Sequence, residues 1–190
     1  KSGYFYFDYL NNKMNKKIEA NEILIAPSWN YKSKNFINEN LEEIIQSALN
    51  GGHTVKFRPH PESFKRSMLT IDNLLKKFSN KNFILDETSE NINSMEKAKC
   101  LITDSSGIAI EFVLLFKRPT LYFEDIDKIH NTEFDNFKDL ITIEKNVKNT
   151  FGYTFKPENI KDLNTLISKS LVEFTNKDID IKNFIEKNFY

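Results

Sequence analysis

Residues 100–112, CLITDSSGIAIEF, place a short apolar run (Cys100 to Thr103), a polar turn of small residues (Asp104 to Gly107) and an apolar run at helical spacing from Ile108 onward. A strand, a tight turn and a helix start in that order present unpaired backbone N–H groups, where an anionic oxygen is stabilised without a lysine. Ser105 and Ser106 add hydroxyl donors, and Gly107 lets a ligand approach the backbone closely. Glu111 follows Asp104 by seven positions, two helical turns if the helix begins near Ser106, and so points back toward the turn. Such a carboxylate can hold ribose hydroxyls while the turn holds phosphates. The plainer reading is that Ser and Asp before an apolar run are ordinary helix N-caps, and Asp104 is read first as a cap and loop organiser.

A second polar cluster ends another expected strand. Thr54 to Pro61 reads TVKFRPHP, and the prolines at 59 and 61 hold His60 on a rigid corner beside Arg58. His60 is either a ligand-facing group that neutralises a leaving phosphate or a structural histidine. Arg58 is either a phosphate clamp or a plain surface charge. A third cluster, Pro27 to Trp29, closes the apolar run EILIAPSW that starts at Glu22. Trp29 suits stacking on a base as well as a place at the core edge.

These clusters need elements to position them. The expected strands are Glu22 to Trp29, Thr54 to Pro61, Asn82 to Asp86, Cys100 to Thr103, Arg118 to Phe123 and an edge strand at Leu140 to Ile143. The expected helices are Asn40 to Asn50 (stopped by Gly51 and Gly52), Ser63 to Phe78, Ser89 to Ala98, the helix after Gly107, Pro157 to Phe174 and Asp178 to Phe189. Alternating strands and helices imply an α/β fold, a Rossmann-like, mostly parallel sheet covered on both faces. With the strand order 3-2-1-4-5-6, all three clusters converge at the carboxyl ends of adjacent strands, where open sheets of this kind bind ligands. Residues 1–21 read as a lead-in segment and linker, 22–175 as the nucleotide-binding domain, and 176–190 as a C-terminal helix.

The chain has 190 residues, enough for one domain with a real core, and its charges balance at 27 Lys+Arg against 27 Asp+Glu. No global field draws nucleic acid or an anionic membrane, so any anion site is local. Cys100 is the only cysteine, which excludes an intrachain disulfide and suggests a reducing compartment. No apolar run reaches the length of a membrane span, and the N-terminus lacks a signal-peptide pattern and an initiating Met, so the chain reads as a piece of something longer. Neither G-x-G-x-x-G nor G-x-x-x-x-G-K-[ST] occurs, which argues against nicotinamide chemistry and a P-loop NTPase. No cofactor is firmly implied. No residues have metal-ligand spacing, although a diphosphate leaves room for a bridging Mg2+.

The motifs ILIAPSW (Ile23 to Trp29), FRPHP (Phe57 to Pro61) and LITDSSGIAIEF (Leu101 to Phe112) resemble the carboxyl-terminal half of the CDP-glycerol glycerophosphotransferase family of GT-B enzymes. That family carries APTW-like, RPHP-like and TDYSS-like segments in this order. The resemblance spans about Gly3 to Phe123 and implies a donor-binding half. It places His60 and Arg58 at the donor pyrophosphate, Ser105, Ser106 and Gly107 on phosphate, and Glu111 on ribose. It also implies a CDP-glycerol-like donor, a lipid-linked polymer acceptor, a missing amino-terminal GT-B half carrying the general base, and work in the cytoplasm at the inner membrane face. Ser105 stands where the family usually has an aromatic residue, and TDSSG also looks like the TDSGG turn of UDP-N-acetylglucosamine 2-epimerases. Three functions therefore stand at this stage: glycerophosphotransferase, sugar-nucleotide transferase or epimerase, and a non-catalytic nucleotide-binding module. His130, in an irregular stretch, is a candidate for the acceptor side. His53 is assigned nothing.

Overall fold

The structure is a computed structural model, and it describes residues 5–14, 18–29, 40–66, 68–79, 81–104, 106–124 and 141–189. Helix α1 (Phe5–Lys13) leads into β1 (Glu22–Ile25), α2 (Leu41–Asn50) and β2 (Thr54–Phe57). Next come α3 (Pro61–Arg66), α4 (Met68–Phe78), β3 (Phe83–Leu85), α5 (Ile92–Lys97), β4 (Ala98–Thr103), α6 (Ile108–Leu114) and β5 (Thr120–Phe123). The chain continues with α7 (Ile143–Phe151), β6 (Gly152–Phe155), a 3₁₀ turn (Pro157–Asp162), α8 (Leu163–Phe174) and α9 (Asp178–Phe189). The six strands form one parallel sheet in the order β3-β2-β1-β4-β5-β6.

The central strands are apolar at consecutive positions because both faces of the sheet are covered. Ile23 and Ile25 of β1 face one layer with Val55, Phe57, Cys100 and Ile102, packed under α2, α4 and α8. Leu24 and Ala26 face the other layer with Leu101, where Leu10, Met95 and Phe112 bring in α1, α5 and α6. Phe7, Val113, Val147 and Phe184 join α1, α6, α7 and α9 in a third cluster beside it. Burial raises the pKa of the Cys100 thiol to about 12, which makes it a small core residue without nucleophilic character.

The sequence expectations meet the structure closely at β1 to β5 and depart from it at the sheet's last edge. The sixth strand is Gly152–Phe155, not Leu140 to Ile143: Ile143 opens α7, capped by the Thr142 side chain on the backbone N–H of Lys145 at 3.3 Å. Leu140 lies outside the described residues. Tyr4 also does, but the aromatic run after it forms α1, with Phe7 and Leu10 buried. The turn after α2 needs its second glycine, because Gly52 has φ +77°.

One side chain fixes the junction of α5 with β4. Arg118 Nη1 donates to the carbonyls of Met95, Glu96 and Ala98 at 3.0, 2.7 and 2.7 Å, so a half-buried guanidinium closes the carboxyl end of α5. Arg118→Met keeps the stem and removes these donors. It is expected to cost about 1–3 kcal/mol of stability, read as a lower urea midpoint at unchanged slope. An unchanged midpoint would mean that water replaces the guanidinium without loss.

Candidate functional site

Because β1 lies between β2 and β4, the loops leaving these three strands emerge side by side. Two buried carboxylates fix those loops. Asp104, 5% exposed, accepts the backbone N–H of Ser28 at 2.8 Å and the Ser28 hydroxyl at 3.0 Å, one on each oxygen. Just before it, the Thr103 hydroxyl donates to the Ala26 carbonyl at 2.7 Å. Asp104 thus continues the β1–β4 pairing beyond the last ladder bond. It is not the helix cap: α6 begins at Ile108 with Gly107 in the N-cap position.

Asp86, on the loop after β3, is the second carboxylate. It accepts Arg58 Nη1 at 2.8 Å, the Thr88 backbone N–H at 3.0 Å, the Thr88 hydroxyl at 2.6 Å and a short hydrogen bond from the Ser94 hydroxyl. Burial alone would raise its pKa, but the hydrogen bonds from Ser94, Thr88 and Arg58 outweigh burial and bring it down to about 2. Arg58 Nη1 also reaches the Thr88 carbonyl at 2.9 Å, and Nη2 reaches the Ser89 carbonyl at 3.4 Å. Its charge is therefore directed largely at the protein, and it ties the end of β2 to the loop after β3.

His60 sits just ahead of α3 and caps it. Its Nδ1 accepts the backbone N–H of Glu62 at 3.2 Å, and its carbonyl accepts the N–H of Ser63 at 2.8 Å. With Nδ1 used as an acceptor, the ring hydrogen lies on Nε2. Trp29 stacks against the exposed imidazole, with ring centroids 6.5 Å apart and planes inclined by 24°.

These pieces surround a cavity of about 370 Å³. Ala26 and Pro27 after β1, Arg58 to Pro61 after β2, and Ser106 with Ile108 after β4 all line it, so the three strand-end motifs meet at one place. Ser89 to Ile92 and the α1 residues Tyr6, Tyr9, Leu10 and Lys13 complete the lining. Trp29 and Glu111 stand outside it; Glu111 is 7% exposed in the first turn of α6, nearer the start of the helix than the two turns expected. Gly107 has φ −58°, and a Cβ added there would meet no protein atom within 4 Å. Ser105 and His130 lie outside the described residues. Among the described residues, no three His, Cys, Asp or Glu side chains are grouped to hold a metal ion. The sequence reading missed the α1 wall and Glu90. Its trace was the spacing of Tyr6, Tyr9 and Lys13 on one helical face, obscured by a run aromatic on nearly every side.

Hydrogen-bond donors on a strand-end corner, beside prolines and tyrosines, suit a ligand with an anionic part and a flat or apolar part. The model of the family described as CDP-Glycerol:Poly(glycerophosphate) glycerophosphotransferase matches residues 6–139. The chain belongs to that family. No curated protein matches the sequence. Among solved structures, it is similar to TarM at 17% identity and a TM-score of 0.52, over 93% of this chain and 34% of that one. It is also similar to the E. coli heptosyltransferase WaaC with ADP, at 10% identity and a TM-score of 0.52, over 88% and 48%. The wall teichoic acid polymerase TagF aligns at 21% identity and a TM-score of 0.49, over 94% and 40%. The sheet order and the likeness to TarM and WaaC give the GT-B-like Rossmann fold expected. This glycerophosphotransferase-family chain spans less than half the length of the three structures.

The acid limb of stability follows from Asp86. Its folded-state pKa lies below the ordinary 3.8, so its contribution is present above about pH 4 and disappears as pH falls toward about 2. About 2 kcal/mol should be lost across that window. Urea midpoints of the wild type and Asp86→Asn should converge as pH drops from about 6 to about 2. A gap that stays constant would show that Asp86 is not the responsible group.

Proposed function

We propose that this chain is the donor-binding part of a glycerophosphotransferase that moves glycerol phosphate, or a related alditol phosphate, from a CDP-linked donor to a cell-surface polymer. The supporting observation is that the family match over residues 6–139 contains every residue that lines the cavity. In this reaction an acceptor hydroxyl oxygen attacks the phosphorus that carries glycerol. The new P–O bond forms, the bond to the bridging oxygen breaks, CMP leaves with that oxygen, and the hydroxyl proton passes to a base. The other half of the enzyme supplies the base. The acceptor is lipid-linked, and the work takes place on the cytoplasmic side, at the inner membrane face. No helix among the described residues is long and apolar enough to cross a membrane.

This chain acts on the leaving side. The Nε2–H of His60 donates to the diphosphate and offsets the charge that develops on the departing CMP oxygen. Ser105, Ser106 and the backbone at Gly107 hold the same diphosphate, and the open space over Gly107 is where the ligand comes closest. Arg58 keeps the corner in place and offers its remaining N–H edge. Glu111 takes the ribose where the nucleoside runs past Ser106 along the first turn of α6. Trp29 sets the plane of the His60 ring.

Calorimetric titration with CDP, CDP-glycerol, UDP and UDP-N-acetylglucosamine, with and without magnesium, tests this reading. Cytidine ligands should be preferred. His60→Ala should weaken CDP-glycerol by about tenfold, and Gly107→Ala should weaken it with the unfolding midpoint unchanged. Glu111→Gln should weaken CDP and CDP-glycerol alike. A preference for uridine ligands would overturn the reading in favour of sugar-nucleotide chemistry, and an intact fold that binds none of them would reduce the chain to a non-catalytic module.

A further inference from the structure

A cation beside a diphosphate strengthens its binding beyond what backbone N–H groups supply, and the basic groups of the strand-end motifs are already engaged by protein partners. Arg58 is engaged by Asp86 and two carbonyls, and the Nδ1 of His60 accepts the backbone N–H of Glu62. The remaining cation in the lining, among the described residues, comes from α1: Lys13. Tyr6, Tyr9 and Lys13 recur at i, i+3 and i+7, so they share a face of the helix, while the buried Phe7 and Leu10 anchor it to the core. The Tyr6 and Tyr9 rings stack at 5.9 Å, and Lys13 Nζ lies 4.8 Å from the Tyr9 ring centre. Hydrogen bonding to Tyr9, then to Glu90, raises the Lys13 pKa.

Lys13 Nζ meets Glu90 Oε1 at 3.1 Å, and both residues line the cavity. The two side chains are 41% and 56% exposed, so solvent screens the pair and it is easily exchanged. A diphosphate entering beside Glu90 is repelled by that carboxylate unless Lys13 turns from Glu90 to the ligand. We propose that Lys13 is the cation that pairs with the donor diphosphate, and that Glu90 is the resident carboxylate which the diphosphate displaces. This rests on reading the cavity as a diphosphate site. Lys13 is then a binding residue contributed by a segment upstream of every strand, and Glu90 sets how strongly the ligand must compete for it.

The two residues should act with opposite sign. Titration of the wild-type chain, Lys13→Met and Glu90→Gln with CDP-glycerol and with cytidine, each at low and high salt, tests this. Lys13→Met should weaken CDP-glycerol roughly tenfold and flatten its salt dependence, while Glu90→Gln should tighten it roughly two- to fivefold. Cytidine, which carries no phosphate, should bind all three proteins alike. A purely structural pair would loosen α1 when either side is removed, so equal weakening by both variants overturns the inference and leaves the donor-site reading standing. Unchanged CDP-glycerol affinity in Lys13→Met does the same. A wild-type chain that does not bind CDP-glycerol overturns both.

Discussion

A parallel strand with a neighbour on each side runs out of ladder partners at its carboxyl end, and the backbone and side chains just beyond it must still be satisfied before the chain can turn. Asp104 and Asp86 meet that requirement around the β1–β2–β4 unit. Each is a buried acceptor that takes a donor from another strand's end, Ser28 on Asp104 and Arg58 on Asp86, and Asp86 adds Thr88 of its own loop and Ser94 of α5. A buried carboxylate is stable only with such donors, so the acids and the loops hold each other in place. The corner at His60 and the turn at Ser106 inherit their positions from these ties. The rigid, committed carboxylates organise the site, and the exposed groups beside them are the ones left to meet a ligand.

The two faces of the sheet divide the work. The layer under α2, α4 and α8 is a continuous apolar core that carries Cys100 without using its thiol. The opposite layer is built from α1, α5 and α6, and the residues that line the cavity include members of all these neighbourhoods: Leu10, Ile92 and Ile108. Packing that closes one end of this layer therefore also shapes the cavity, which couples the fit of α1 to the width of the site.

Much of this was legible in the sequence. The centres of β1 and β4, Ile23 to Ile25 and Cys100 to Ile102, announce themselves as unbroken apolar runs, because burial on both faces removes the usual alternation. The βα alternation pointed to a parallel sheet, and its common order 3-2-1-4-5-6, which the structure has, brings the PSW and RPHP segments and the turn after β4 together. What was not legible depends on partners far away in the chain. Arg58 reads as a clamp until Asp86, 28 residues on, takes its guanidinium. Lys13 and Glu90, 77 residues apart, have no pattern in common. The edge strand Gly152–Phe155 mixes a glycine, a tyrosine and a threonine and is only partly covered, so its signal was weaker than the apolar LITI at 140–143. Asp104 looked like a cap because short polar residues before a helix usually are, and only the cross-strand donors of Ser28 reveal its use.

The capping of α3 by His60 also bears on what this ring can do in the proposed reaction. A histidine that serves as general base needs a nitrogen lone pair facing the substrate, and the Nδ1 lone pair of His60 is already turned to the backbone of Glu62. What this ring presents to a ligand is a hydrogen, on Nε2, with its plane steadied by Trp29. In the proposed reaction a donor in that position serves the leaving phosphate and cannot at the same moment take the proton of the attacking hydroxyl. Asp86 and Asp104 are buried and engaged by protein donors, so neither of these two carboxylates is placed to take it either. In the proposed reaction the proton acceptor is therefore neither His60 nor the two committed aspartates, and the group that takes the proton has to reach the cavity from another side.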